Sequence, residues 1–142
     1  MTDFNILRKR YSEVLCGRGH SGKRTADCIL RSDERTEQRL AQLDTRIEKA
    51  ITSNEPGIVN ATLKGILDIS TSFSQNNSRF YHDENIKNKI FNALNALEKV
   101  YNDTIAPQGN WWYWEIGIPL SLNSIFTLMY DYADKSQLKR YM

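Results

Sequence analysis

The sequence predicts a single all-α domain, residues 1–142, built from helical hairpins. Apolar residues recur at intervals of three and four in several segments, which is the period of an amphipathic helix. No segment shows the apolar–polar alternation that is typical of a half-buried strand. Turn-forming residues keep the connections short, so successive helices are expected to lie antiparallel.

The first predicted helix runs from about Asp3 to Leu15, with an apolar stripe on one side. The stripe comprises Phe4, Leu7, Tyr11, Val14 and Leu15. Gly17 and Gly19 end this helix because glycine readily adopts the conformation that closes a helix. Residues 17–25 are rich in Gly, Ser and basic side chains, and residues 17–31 are predicted to form a flexible basic loop.

Two longer helices are predicted to form a hairpin. Ser32 or Asp33 can cap the first of them. Its apolar stripe is Leu40, Leu43, Ile47, Ala50 and Ile51. Residues 54–57 break this helix, and Pro56 suits the first turn of the next one. That next helix carries Ile58, Leu63, Ile66, Leu67 and Phe73, and the polar residues 74–78 close it.

Two further helices complete the predicted fold. Asp83 precedes a fourth helix whose stripe is Ile86, Ile90, Leu94, Leu97 and Tyr101. Residues 102–116 follow as an aromatic loop that contains Pro107 and Gly109. A fifth helix starts near Pro119, and its apolar residues spread over more than half of its circumference, so it is expected to be buried. Those residues are Leu122, Ile125, Phe126, Leu128, Met129 and Tyr132.

Charge and composition argue against a membrane-spanning protein and against a metal-binding protein. The net charge is only +2, although residues 1–31 hold seven Lys/Arg against three Asp/Glu. No stretch approaches the roughly 18 apolar residues of a membrane span. Residues 1–4 lack the positively charged start and apolar core of an export signal, so none is expected in the chain as written. Cys16 and Cys28 have no neighbours that complete a metal set, so no metal is expected. Both are interpreted as reduced structural residues, and a disulfide between them stays open as an alternative.

The most unusual segment is the aromatic run Trp111-Trp112-Tyr113-Trp114. Successive side chains leave the backbone in different directions, so four adjacent rings cannot all point into the core. Some of them must be exposed beside Asn110 and Glu115. Flat aromatic faces next to amide and carboxylate groups suit the C–H faces and hydroxyls of a sugar. On chemistry alone, sugar binding and core packing are equally supported.

A longer motif around this run resembles a known family. Residues 110–119, Asn-Trp-Trp-Tyr-Trp-Glu-Ile-Gly-Ile-Pro, followed by residues 122–124 and 128–129, look like the signature of polysaccharide lyase family 8. This family comprises the hyaluronate, chondroitin and xanthan lyases. Residues 78–84 resemble the segment that precedes the motif in the family, and residues 7–11 and 15–17 look more loosely like the start of its helical domain.

The resemblance implies an incomplete (α/α) toroid of helical hairpins around a cleft that holds an acidic polysaccharide. Family members cleave beside a uronic acid by β-elimination, without a cofactor. The residues that the resemblance assigns to substrate binding are Asn110 as a hydrogen-bonding group, Trp111 and Trp112 as a stacking platform, Glu115 as a group that can orient a hydroxyl, and Lys64 in place of a cleft-lining Arg of some members.

No catalytic residue is assigned to this chain. The catalytic Asn, His, Tyr and Arg of the family lie well downstream of the aromatic motif, and neither His20 nor His82 has their context. We expect a partial lyase domain that binds polysaccharide without cleaving it, as a truncated gene product or a piece of a longer enzyme. The family is extracellular, whereas this chain, expressed as written, is expected to stay in the cytoplasm.

Three other interpretations are weighed against this one. Residues 17–25 nearly match a phosphate-binding loop, but Arg24 stands where such a loop needs Ser or Thr. The basic segment from Arg8 to Arg31 predicts, as the main alternative, a small helical nucleic-acid- or nucleotide-binding protein. A structural bundle with packed aromatics is the third. No nucleic-acid or membrane partner is expected, whereas self-association is expected through uncovered helix faces near Phe126 and Met129.

Overall fold

The computed structural model describes residues 2–16 and 23–141, and the side chains of residues 23–25 lie outside that description. Within these ranges the chain forms six α-helices and one π-helical turn, with no β-strand. The elements are α1 (Asp3–Leu15), α2 (Lys23–Ser53), α3 (Pro56–Ser74), α4 (Glu84–Leu97), the π-turn (Tyr113–Gly117), α5 (Ile118–Leu128) and α6 (Lys135–Tyr141). The all-α prediction is confirmed.

Helices α2 and α3 form the antiparallel hairpin that the sequence predicts. The hydroxyls of Thr36, early in α2, and Ser72, late in α3, lie 2.6 Å apart. At the other end, the Thr62 hydroxyl lies 3.5 Å from the carbonyl oxygen of Arg46. Early residues of one helix therefore meet late residues of the other. This pairing places the start of α3, where the candidate site lies, beside the end of α2.

Helix α3 lies at the centre of the core, against α2, α4, α5 and the π-turn. The fully buried side chains are mostly aliphatic or aromatic and include Leu63, Ile66, Ile69, Phe73, Ile90, Ile118, Ile125, Phe126 and Met129. Asp83, which the sequence places directly before this helix, caps α4, because its carboxylate accepts the backbone N–H groups of Asn85 and Ile86. Helix α4 ends at Leu97, so Tyr101, predicted on its stripe, lies in the following turn.

The prediction of a flexible basic loop over residues 17–31 is wrong for residues 23–31, which are helical. Helix α2 begins at Lys23, nine residues before the predicted cap, and the phosphate-loop-like residues 17–22 lie outside the described residues. Residues 23–55 contain neither Gly nor Pro, so nothing in the sequence breaks a helix there. Ile29 is buried and gives this extension a packing contact. Apolar periodicity alone missed it because the stripe is regular only from Leu40 onward.

Asp33 does not cap α2; it lies inside the helix and anchors another turn. Its carboxylate is buried and accepts the Ser78 hydroxyl at 2.5 Å and the backbone N–H of Arg79 at 3.0 Å. A buried carboxylate is tolerated where hydrogen bonds replace its hydration. Asp33 thus fastens the connection between α3 and α4 to the side of α2.

Replacing Asp33 by alanine is expected to lower the free energy of unfolding by about 2–3 kcal/mol, because two hydrogen bonds to a buried charge are lost and their donors stay buried. Urea denaturation followed by circular dichroism measures the change. Asp44→Ala, at an exposed position of the same helix, should shift stability by less than about 0.5 kcal/mol. Equal denaturation midpoints for the two variants would show that the Asp33 contacts do not stabilise the fold.

The predicted exposed apolar surface near Phe126 and Met129 is wrong. Both side chains are 0% exposed. Helix α6 supplies the cover: the ring of Tyr141 stacks on Phe126 with centroids 5.2 Å apart and planes inclined by 15°. Tyr132, predicted on the fifth helix, lies beyond the end of α5 and is exposed.

Exposed apolar side chains lie on α1 instead. Leu7 is 64% and Val14 73% exposed, while Tyr11 holds the helix to α5 through a 2.8 Å hydrogen bond between its hydroxyl and that of Ser124. Cys16 is buried, Cys28 is exposed, and no disulfide joins them. Across the described part of the chain, no helix has both the length and the apolar character needed to cross a membrane.

Candidate functional site

The aromatic run lies on helical backbone, not in a loop. Trp111 and Trp112 form a first helical turn, the π-turn follows, and α5 continues from it. The N–H of Ile118 donates to the carbonyl of Tyr113, five residues earlier, which is the π-helical pattern. The prediction of a loop over residues 102–116 is therefore wrong for residues 111–116 and stands for the irregular stretch before them.

Pro119 gives a physical reason for the π-turn. It stands at the second position of α5, directly after the wider turn. In a continuous α-helix the proline ring would crowd the carbonyl of Glu115, four residues earlier, and could not donate to it. The extra residue in the π-turn makes room for the ring, so the aromatic run and α5 stay joined as one helical segment.

The four aromatic side chains divide into an anchor and an exposed pair. Trp111 is 62% and Trp112 42% exposed, whereas Trp114 is only 8% exposed. The Trp114 ring packs against Tyr101 with centroids 4.9 Å apart, and the Tyr101 hydroxyl donates to the Trp114 carbonyl at 3.2 Å. Burial raises the pKa of Tyr101, so its hydroxyl keeps the proton that it donates. The prediction that some of these rings must be exposed is confirmed.

Two backbone contacts fix the entry to this segment. The Asn110 side-chain oxygen accepts the backbone N–H of Trp112 at 2.9 Å and so caps the first turn. Gly109 before it has φ +69°, and a Cβ there would lie 3.0 Å from Cδ of Pro56 at the start of α3. The cap occupies the carbonyl oxygen of the Asn110 side chain, which leaves the amide nitrogen as the group that can meet a ligand.

The ring of Trp112 packs close to Gly117, and a buried side-chain amide lies close to the same glycine. A Cβ on Gly117 would lie 2.9 Å from Cζ3 of Trp112 and 3.1 Å from Nδ2 of Asn60. Asn60 is buried on α3, and its side-chain oxygen accepts the Ser121 hydroxyl at 3.1 Å. The absence of a Cβ at Gly117 therefore lets both the Trp112 ring and the Asn60 amide pack closely against the Gly117 backbone.

Sequence reasoning missed Asn60. The signal that could have found it is a polar amide among the apolar residues of α3, since a buried amide needs a partner and often has a specific role. Its side-chain oxygen accepts from Ser121, and its Nδ2 lies beside the backbone of Gly117.

The other two predicted site residues are both exposed. Glu115 is exposed on the π-turn. Lys64 is exposed on α3, one turn beyond Asn60 on the same side of the helix, or about 6 Å further along the axis. Asn110, Trp111, Trp112 and Glu115 are close together in the sequence and lie on or directly before the same helical segment, whereas Lys64 lies on α3.

His82 lies elsewhere. It is exposed after the end of α3, has φ 52°, and stacks on Tyr81 with ring centroids 3.8 Å apart. It is therefore a surface residue beside Asp83, which caps α4. Residues 2–16 and 23–141 contain no cluster of His, Cys, Asp or Glu that could hold a metal ion.

The fold is shared with the helical part of polysaccharide-cleaving lyases. A variant of chondroitin AC lyase from Streptomyces coelicolor A3 superposes with a TM-score of 0.85 at 18% identity, over 99% of this chain and 20% of that one. Xanthan lyase from Paenibacillus superposes with a TM-score of 0.70 at 20% identity, over 98% of this chain and 14% of that one. The chain belongs to polysaccharide lyase family 8: residues 26–142 match the model of its N-terminal α-helical domain.

Curated relatives agree with this assignment. Xanthan lyase from Bacillus sp. (strain GL1) is 28% identical over 99% of this chain, and hyaluronate lyase from Thermasporomyces composti is 24% identical over 99%. The chain spans 16% and 19% of the length of these two relatives. Family membership favours the carbohydrate interpretation over the nucleic-acid alternative.

Proposed function

We propose that this chain is the sugar-gripping part of a family 8 lyase, and that Trp111 and Trp112 hold an acidic polysaccharide for β-elimination. The observation that carries the proposal is the exposure of two adjacent indoles on a segment anchored by the buried Trp114. Large apolar rings kept in water on a rigid segment are typical of a binding surface. Indole faces suit the C–H faces of sugar rings.

The polar neighbours of the indoles would orient the chain of sugars. In this proposal, the amide nitrogen of Asn110 and the Glu115 carboxylate bind hydroxyls, while Lys64 attracts a uronic acid carboxylate as a point charge. A lysine provides charge without the planar fork with which arginine grips a carboxylate in two places. Lys64 would therefore contribute to affinity more than to the precise orientation of the sugar.

The proposal assigns binding, and not bond cleavage, to residues 1–142. β-Elimination needs a group that neutralises the carboxylate, a base that removes the C5 proton and an acid that protonates the leaving oxygen. By the resemblance, those groups are expected downstream of the aromatic motif, and this chain spans only 16% and 19% of the length of the two curated relatives. The substrates proposed are the polymers of the relatives, xanthan or hyaluronan, which implies a site of action outside the cell.

A titration of tryptophan fluorescence tests the proposal directly, because all three tryptophans lie within residues 111–114. Oligosaccharides of hyaluronan, chondroitin and xanthan are added to the chain, with a neutral cello-oligosaccharide as control. We expect saturable quenching by at least one acidic oligosaccharide and no ultraviolet absorbance from the unsaturated uronate that β-elimination would form. Unchanged fluorescence with all of the acidic oligosaccharides would contradict the proposal.

Replacing Gly117 by alanine is expected to weaken oligosaccharide binding roughly tenfold, or about 1.4 kcal/mol. The new methyl group would meet Trp112 at 2.9 Å and Asn60 at 3.1 Å, so the indole must shift away from its present position. The fluorescence titration measures the change.

Gly65→Ala is the matched control for this variant. Its Cβ would meet only the flexible Arg39 side chain at 3.4 Å, in the middle of α3. Alanine should raise helix stability there by up to about 1 kcal/mol and leave binding unchanged. If Gly117→Ala binds as the unmodified chain does, the close packing under Trp112 does not set the platform.

Self-association, expected from the sequence, has a different candidate surface from the one predicted. We propose that it uses the exposed side of α1, where Leu7 and Val14 project into solvent. Sedimentation velocity at several protein concentrations tests this assignment, because Leu7→Ser should lower the association that the unmodified chain shows.

A further inference from the structure

A second cleft lies at the opposite end of α3 from the tryptophan pair. Its cavity of about 530 Å³ is bounded by α1, by the end of α3 with the turn that follows, and by the segment after α5. Gly57 at the tryptophan end and Ser74 at this end are 17 residues apart on one helix, which corresponds to about 25 Å. The two surfaces are therefore separate. A volume of this size is within the range that binds small ligands.

One wall of this cleft is aromatic and held in place by several contacts. Tyr81 stacks on His82, and the His82 ring lies 5.4 Å from that of buried Phe73. The Tyr132 hydroxyl lies 3.4 Å from Nε2 of His82, and its ring meets Phe73 edge-on at 5.3 Å. Tyr81 and Tyr132 are both exposed at the cleft surface. This wall therefore presents the phenol rings and hydroxyls of Tyr81 and Tyr132 to a ligand, and its contacts with buried Phe73 hold it in place.

The facing wall is basic. Arg8 and Lys9 of α1 line the cleft, and the Arg8 guanidinium lies over the Tyr130 ring at 4.7 Å. Arg8 reaches one oxygen of the exposed Asp131 carboxylate at 3.4 Å. Its Nε is buried and has no hydrogen-bond partner among the described residues, so the donor capacity open to a ligand lies on the terminal nitrogens, which the 3.4 Å contact with Asp131 uses only in part.

The charged side chains that line the cleft have a net positive charge. Asp131 is the carboxylate that lines it, against Arg8 and Lys9. Glu84 and Lys87, one of each sign, are near enough to influence the pKa of Tyr132. Burial first, and then the Asp131 carboxylate, raise that pKa, so the Tyr132 hydroxyl stays protonated at neutral pH.

We propose that this cleft is a second binding site, which takes one carboxylate-bearing sugar unit of an acidic polysaccharide. The C–H face of the sugar would lie against Tyr81 and Tyr132, and its carboxylate would meet Lys9 and the Arg8 guanidinium. The class of ligand rests on the proposed function, whereas the site itself rests on the cleft geometry. Two contacts with one polymer would raise the avidity of the domain for long chains above that for short ones.

Calorimetry and fluorescence together separate the two sites. A uronate-containing tetrasaccharide is titrated into the full chain, and heat reports every site, whereas tryptophan fluorescence reports only the site at residues 111–114. We expect a calorimetric stoichiometry of two. The double variant Lys9→Gln/Tyr81→Ala should lose one class of sites, with affinity there at least tenfold weaker, and keep an unchanged fluorescence titration.

The reciprocal variant and the other outcomes complete the test. Trp112→Ala should weaken the fluorescence-detected site and keep the class that depends on Lys9 and Tyr81. Heat that depends on Lys9 and Tyr81, without any fluorescence response, would support the cleft and refute the proposed role of the tryptophans. A stoichiometry of one that the double variant leaves unchanged would overturn the second site. Binding of inorganic sulfate alone at Lys9, without saccharide binding, would also overturn it.

Discussion

Trp112→Ala is expected to weaken binding of acidic oligosaccharides roughly 30-fold, or about 2 kcal/mol, which is the cost of removing an aromatic anchor from a binding surface. The indole of Trp112 packs closely against the Gly117 backbone, which restricts its position before a sugar arrives. A rigid ring loses little conformational entropy on binding. Isothermal titration calorimetry of the site detected by fluorescence measures the effect.

Leu120→Ala is the control for Trp112→Ala. Leu120 is an exposed apolar residue at the third position of α5. It is close in sequence to Trp111 and Trp112 but lies outside the aromatic run. Its loss should change affinity by less than twofold, or about 0.4 kcal/mol. Both variants should remain folded, which circular dichroism checks, because each side chain is at least 42% exposed. An equal loss of affinity in the two variants would count against a specific role for the indole.

The sequence predicted exposure in the aromatic run but not its backbone. The argument from side-chain directions holds for a helix as well as for a loop, so the exposure of Trp111 and Trp112 was within reach. The π-turn was not, because it depends on which carbonyl each N–H meets, and apolar patterning does not record that. Trp114 also looks like its neighbours in the sequence. The burial of Trp114 depends on its contact with Tyr101. A turn and an irregular segment separate these two residues in the chain.

Asn60 and Asp33 show a second limit of sequence patterning. From the apolar pattern of their helices, both polar residues would be expected in solvent or at a helix cap. Both are buried instead, because each accepts a hydrogen bond from a residue far away in the sequence. Ser121 donates to Asn60 across 61 positions and Ser78 to Asp33 across 45. Such pairs depend on the tertiary arrangement of α2, α3 and α5, which one sequence does not reveal.

Helix α6 is the element that sequence reasoning left out, and its omission produced the wrong prediction for α5. A helix of seven residues carries too few apolar positions to show a period. Leu138 and Tyr141 nevertheless pack against the core, and Tyr141 covers Phe126. The exposed face expected on α5 is therefore closed within the chain itself.

Phe126→Ala is expected to lower the free energy of unfolding by about 3–5 kcal/mol, the largest effect on stability predicted for this chain. Phe126 is 0% exposed, so its truncation removes buried apolar surface and leaves a cavity between α5 and α6. The variant also removes the ring on which Tyr141 stacks at 5.2 Å, and α6 should detach before the core unfolds. Hydrogen exchange of the α6 amides, together with urea denaturation, measures both consequences.

Tyr141→Phe separates stacking from the tyrosine hydroxyl. Burial, and next the Glu98 carboxylate, raise the pKa of Tyr141, so its hydroxyl is protonated and interacts with Glu98. Phenylalanine keeps the ring on Phe126 and removes that interaction, which should cost about 1 kcal/mol and leave α6 in place. A loss as large as that of Phe126→Ala would assign the stability of α6 to the hydroxyl. A loss below about 1 kcal/mol for Phe126→Ala would instead show that α6 does not complete the core.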